Sequence, residues 1–187
     1  MQRMDDLDVL VRHVLPQVLP CPKSMVLDAL QAITVDFCRQ SEVWSEQIQE
    51  LGVSGDSAIS LALQSGIEVV RVRTTWIDGI EQDGWRSEGQ TVLLGFTLAR
   101  DCAVTVDAIL RPSRFSQKVP HDLIEEWGDI LAYGALAKIK AMSGKGIEWS
   151  DPQGAGVALQ LYNEGTARAK GRVIRSRIGS GELFARG

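Results

Sequence analysis

Apolar side chains recur at helical spacing in four stretches of this chain, and in its middle the period shortens to two. The clearest helical pattern opens at Pro120. Leu123, Trp127, Ile130, Leu131 and Gly134 fall on one face, as residues three and four apart do on a helix. Proline is tolerated at that opening because a first-turn N–H has no helical partner. Ser143-Gly144-Lys145-Gly146 ends the helix, glycine readily taking the left-handed conformation of a helix end. Ser150-Asp151-Pro152 then predicts a second start, a capping oxygen followed by a first-turn proline. Ala158, Leu161, Tyr162, Gly165 and Ala169 form its inward stripe, and it runs to about Arg177. Gly134-Ala135 on one arm and Gly165 with Ala169 on the other predict a close-packed helical hairpin.

Two helices precede it. Leu7, Val11, Val14 and Leu15 share a face of a short helix from Asp5 to Leu15, its acids at the N-terminus where the helix dipole favours them. Leu19-Pro20-Cys21-Pro22 predicts an extended turn, since a residue before proline is pushed out of the helical region. A long helix follows from Pro22 or Lys23 to Val43 or Trp44, with Val26, Leu30, Ile33, Phe37 and Cys38 as its core stripe. From Glu46 the period changes. Ile59, Leu61 and Leu63 alternate with polar neighbours, Gln64-Ser65-Gly66 predicts a hairpin turn, and Ile67 to Ile77 is rich in β-formers. Asp78-Gly79 and Asp83-Gly84 are turn pairs, and Gly84 to Gly89 is expected to be an exposed loop. Thr91 to Phe96 and Cys102 to Leu110 complete a small antiparallel set. The expected fold is therefore α+β: a helical bundle body of about four helices, with an inserted small antiparallel β block and an extended basic C-terminal tail. One domain spans 1–187, its helical body at 1–45 and 120–177, its β insertion at 46–113 and its tail at 178–187.

The 187 residues are 44% hydrophobic and 24% charged, which excludes a disordered chain and leaves room for a real core. A net charge of −4 is too mild to imply a nucleic-acid partner by itself. Its distribution says more, because the residues from Gly165 onward carry six cations against Glu182 alone. Cys21, Cys38 and Cys102 are odd in number and widely spaced, with no Cys-x-x-Cys pair, and His13 and His121 lie far apart. That pattern argues against a metal site or a disulfide framework and for buried thiols in a reducing cytoplasm. No apolar run reaches the length of a membrane span, and no signal-peptide core follows the first residues.

Candidate chemistry is sparse. His121 sits in a helix first turn, a poor place for an imidazolium, and is expected to be a surface or capping residue. Ser143-Gly144-Lys145-Gly146 lacks the Gly-x4-Gly-Lys-Ser/Thr spacing of a phosphate loop and follows a helix rather than a strand. No arrangement calls for an enzyme, a cofactor or a metal. Two features remain. Trp76 and Trp85, with Arg86, lie on or beside a β-hairpin tip and match what buried protein contacts favour. Arg168, Arg172 and Arg175 fall near one face of the last helix, Arg177 continues the run, and Leu183-Phe184 follows a Gly-Ser-Gly hinge. Such a segment orders on a partner, either an acidic surface or a channel carrying nucleic acid.

These residues carry a resemblance. Pro20-Cys21-Pro22 leads into Ala29, then Asp36-Phe37-Cys38 and Trp44. Ile109-Leu110-Arg111-Pro112-Ser113, Gly134-Ala135-Leu136-Ala137, Met142-Ser143-Gly144-Lys145 and Trp149-Ser150-Asp151-Pro152 follow in order. The set resembles the head-to-tail connector adaptor (neck) proteins of tailed bacteriophages, with Gly146-Ile147-Glu148 lengthening one loop. The resemblance implies a structural virion protein: a ring, commonly of twelve copies, seated under the portal protein and passing genomic DNA without sequence preference. It implies contact with a downstream tail or neck protein, no membrane partner, and a site in the virion neck after assembly in the host cytoplasm. It also implies a C-terminal arm, here Arg168, Arg172, Arg175, Arg177, Leu183 and Phe184, that reaches the portal. Trp76, Trp85 and Arg86 would then meet a neighbouring subunit or the tail. The alternative is a DNA-binding module of a phage packaging or regulatory complex, using the same basic helix.

Overall fold

A computed structural model describes residues 3–179, and Leu183 and Phe184 lie outside the described residues. The described residues are α+β, 43% helical and 27% strand, with three antiparallel sheets. This corrects the expected helical bundle with a small β insert. Among the described residues there are four helices: α1 (Asp8–Val14), α2 (Lys23–Ser41), α3 (His121–Lys140) and α4 (Pro152–Gly179). The strands are β1 (Met4–Asp6), β2 (Ser45–Gly52), β3 (Ala58–Ser60), β4 (Ile67–Ile77), β5 (Ile80–Glu81), β6 (Arg86–Glu88), β7 (Thr91–Leu93), β8 (Cys102–Pro112) and β9 (Lys118–Pro120). Five of them span only two or three residues outside any alternating apolar run, too short for a period of two to register. The described residues fall into two compact units, one up to Val43 and from Arg114 onward, the other Trp44–Ser113.

The first unit is helical apart from β1 and β9, which pair antiparallel with Met4 opposite Pro120. Asp5 and Asp6 therefore belong to a strand, where their charge had suggested the first turn of a helix. Leu7, Leu10, Val11 and Val14 are buried beside α3, and Gly128 of α3 leaves just enough space for Leu10. Helix α2 buries Val26, Ala29, Leu30, Phe37 and Cys38, and ends at Glu42 in the left-handed region (φ 59°). The hairpin of α3 and α4 is closed by Asp151. Its Oδ1 accepts from the Gly154 N–H at 2.9 Å and its Oδ2 from Lys140 Nζ at 3.0 Å. The Gly154 N–H and then Lys140 hold this carboxyl below the usual carboxylate range. Capping the start of α4 and binding the end of α3 are thus one residue's work.

His121 ties β1 to α3. Its Nδ1 is 2.6 Å from Asp5 Oδ2 and its Nε2 3.1 Å from Glu125 Oε1. The bond from His121 holds the Asp5 carboxyl below its ordinary range, against the opposing effect of burial. A lowered carboxylate contributes stability that is full above its unfolded value, about 3.9, and lost as pH falls through the lowered one. His121→Ala is expected to destabilise the protein near pH 6 and to cost less as pH falls through the lowered Asp5 value. Urea unfolding across that range measures it, and a constant cost at every pH would refute the coupling.

In the second unit β8 is the central strand of a sheet ordered β2-β8-β4-β5, and β3, β7 and β6 form a separate sheet in the order β3-β7-β6. Strand β2 pairs with β8 over its whole length, from Ser45 opposite Ile109 to Gly52 opposite Cys102. Cys102, Val104, Val106 and Ala108 alternate inward along β8, and Ile109 and Leu110 are buried as well. The expected hairpin at Gln64-Ser65-Gly66 is not one. That turn passes the chain from β3, which pairs with β7, to β4, which pairs with β8. The expected loop at Gly84 to Gly89 contains the exposed edge strand β6.

Candidate interaction site

Helix α4 positions the cationic residues. Its buried face is Ala155, Ala158, Tyr162, Gly165, Thr166 and Ala169. Leu161, expected on that stripe, is 37% exposed and stands on the other side with Val157. At about 100° per residue, Val157, Leu161, Arg168, Arg172 and Arg175 share one outward side. Its first half is apolar and its second half basic. Arg168 and Arg175 are exposed and make no hydrogen bond or ion pair among the described residues. Arg172 is spanned to Glu126 of α3 by an ion pair.

Arg177 does not belong to this row. It turns to the opposite side of α4, where it is half-buried and donates to Glu42 Oε2 at 2.8 Å, at the left-handed end of α2. The continuation of the arginine run seen in the sequence is thus split by helical phase: two positions past Arg175 is about 200° of rotation.

Between α2, α3 and α4 lies an apolar groove of about 630 Å³. Ile33, Gly134, Ala137, Ala155 and Leu159 supply apolar lining, and Tyr162 and Asp36 its polar corner. Tyr162 Oη donates to Asp36 Oδ2 at 3.1 Å, and Gln40 Nε2 donates to the same oxygen at 2.6 Å. Burial first, and then the neighbouring carboxylate, push the Tyr162 hydroxyl well above its ordinary value, so it remains a donor. Asp36 and Tyr162 are 126 positions apart, and neither the motif around Asp36 nor the stripe around Tyr162 announces the pairing. Tyr162 lies on the inward stripe expected for the last helix, but Asp36 lies on no expected stripe, so no sequence signal joined the two.

The cysteines carry no nucleophile. All three are buried, and burial pushes the Cys38 thiol up to about 12. Burial also raises Cys21 and Cys102. Among the described residues no three His, Cys, Asp or Glu side chains gather to hold a metal ion, and no helix is long and apolar enough to cross a membrane.

Trp76 and Trp85 do not share a sheet face. Trp76 is half-buried on β4, opposite Thr105 of β8 and Glu81 of β5. Trp85, also half-buried, precedes β6, where Arg86 is exposed and pairs with Glu88 at 3.7 Å. The chain matches no protein-family model, and no curated protein matches it significantly.

Proposed function

We propose that this chain is a structural adaptor of the bacteriophage neck, a ring-forming protein that joins the portal to the tail and lets DNA pass. The reading rests first on the ordered set of motifs that resembles that family. The structural observation that supports it is the outward side of α4. Val157 and Leu161 lie beside the unpaired cations Arg168 and Arg175, a mixture of apolar and arginine contact that suits a protein partner. The arm of Arg168, Arg172 and Arg175, continued by Leu183 and Phe184, is proposed to reach the portal. In this reading Arg177 instead holds α4 to α2, and Trp76, Trp85 and Arg86 offer contacts to a neighbouring subunit or the downstream tail protein. The reading asks for no catalysis and no cofactor.

The double variant Arg168→Glu/Arg175→Glu tests it. Neither side chain supports the fold, so far-UV circular dichroism and melting should be unchanged. Binding to the portal encoded with the chain, followed by light scattering on a sizing column, should weaken at least about tenfold, as for the loss of an interface anchor. Truncation after Gly179 should abolish attachment. Unchanged attachment by both variants would defeat the portal assignment. A monomer that ignores portal, yet binds duplex DNA with steep salt dependence, would hand the same arginines to the DNA-binding alternative.

A further inference from the structure

Phe115 is 95% exposed. It lies in the segment between Ser113 and β9, next to Arg114, which is exposed and has no partner among the described residues. A bare aromatic side chain beside a free guanidinium is the composition of an interface anchor. The segment is also held in place, because Ser116 O accepts from Gln31 Nε2 of α2 at 3.0 Å.

The groove between α2, α3 and α4 has the complementary chemistry. Its lining is mainly apolar, and Asp36 stands at one corner. Both bonds to Asp36 converge on Oδ2, leaving Oδ1 without a hydrogen-bond partner among the described residues. Lys138, on the same lining, makes no ion pair with it among the described residues. An aromatic ring in the groove and a guanidinium on Asp36 would satisfy both features.

Knob and groove cannot meet within one copy. Ile33, Asp36 and Gln40 lie about 140–200° around α2 from Gln31, so the segment anchored at Gln31 is on the far side of that helix. We propose that Arg114 and Phe115 of one copy dock into the α2–α3–α4 groove of a second copy, Phe115 on the apolar lining and Arg114 on Asp36. Two different surfaces meet, so the contact is head-to-tail. Repetition gives a closed ring or an open chain rather than a two-fold dimer. One phenylalanine buries about 150–250 Å², far below the roughly 1,200 Å² of a stable interface. The contact is therefore weak in a pair and needs high concentration or many copies. It supplies a joint for the ring proposed above, and it depends on that reading only for closure.

Cross-linking of the full chain tests the contact without portal. Gln117→Cys places a thiol beside the knob and Asn163→Cys one on the rim of the groove, while the three native thiols are buried. Oxidation of the two variants mixed, from micromolar to millimolar concentration, should give disulfide-linked dimers, and each variant alone should give few. Adding Phe115→Ala to the Gln117→Cys chain should reduce the yield at least about tenfold, with circular dichroism unchanged. No mixed dimer at any concentration overturns the proposal, and so does efficient pairing of Gln117→Cys with itself. A yield indifferent to Phe115→Ala assigns the groove to another occupant, such as the Leu183-Phe184 segment, and also overturns it. Cross-linking in a chain that ignores portal would keep the contact and sink the neck assignment. Portal attachment without cross-linking would do the reverse.

Discussion

Phe37→Ala is expected to remove about 3–5 kcal/mol of stability, the range for deleting a buried phenylalanine. The side chain is 0% exposed, and its ring lies 5.9 Å from that of Trp127, tilted by 46°. The pair joins α2 to α3, so truncation opens a cavity between two helices that β1, α1 and α4 all lean on. The spacing and tilt fall in the range where aromatic pairs contribute beyond their buried area. Urea unfolding followed by far-UV circular dichroism measures the loss. Phe37→Leu should cost markedly less, because it keeps most of the volume. A loss below about 1 kcal/mol for the alanine variant would mean the site collapses freely and is not a core keystone.

Gly134→Val is expected to cost about 3 kcal/mol, at the upper end of the usual overpacking range. A Cβ at Gly134 would stand 2.5 Å from Ile33 Cγ2 and 2.8 Å from the Tyr162 ring. The arrangement is reciprocal: Tyr162 of α4 covers Gly134 of α3, and Ile130 of α3 covers Gly165 of α4. Isoleucine can turn aside, but Tyr162 is also fixed through its hydroxyl to Asp36. Relief of the clash therefore breaks that hydrogen bond. Helix propensity, which favours other residues over glycine by up to about 1 kcal/mol, offsets only part of the strain. Thermal melting of Gly134→Val beside Tyr162→Phe separates the two effects. The phenylalanine variant should show the loss of the hydrogen bond alone, and an equal loss in both would place the whole effect in that bond.

The helices were readable because their information is local. Pro120, Pro152 and the Ser143–Gly146 stretch mark ends through restricted or permissive backbone, and the apolar stripes of α2 and α3 repeat over several turns. The small residues of the hairpin already predicted a close crossing. Strand existence was partly readable in the same way: β4 and β8 are eleven residues each and rich in β-formers. Strand partnership was not. Alternation says that a face is buried but not which strand lies beside it, so the turn at 64–66 reads as a hairpin in the sequence although it joins two sheets. Met4–Asp6 shows the sharper failure. Two acids before an apolar run carry a helix-start signal, and only pairing with Lys118–Pro120 makes them a strand.

The candidate site divides along the same line. Composition alone establishes an acidic chain with a cationic end, and the residue types there name the arginines. Which arginine stays open is a matter of phase and neighbours: Arg168 and Arg175 face outward, Arg172 finds Glu126, and Arg177 turns to Glu42. The groove beside Asp36 and Tyr162 arises only when α2, α3 and α4 pack, because it joins residues remote in sequence. Local order follows from short-range steric and capping preferences that each segment carries within itself. Pairing, burial and charge partnership depend on distances between segments, and those exist only in the folded chain.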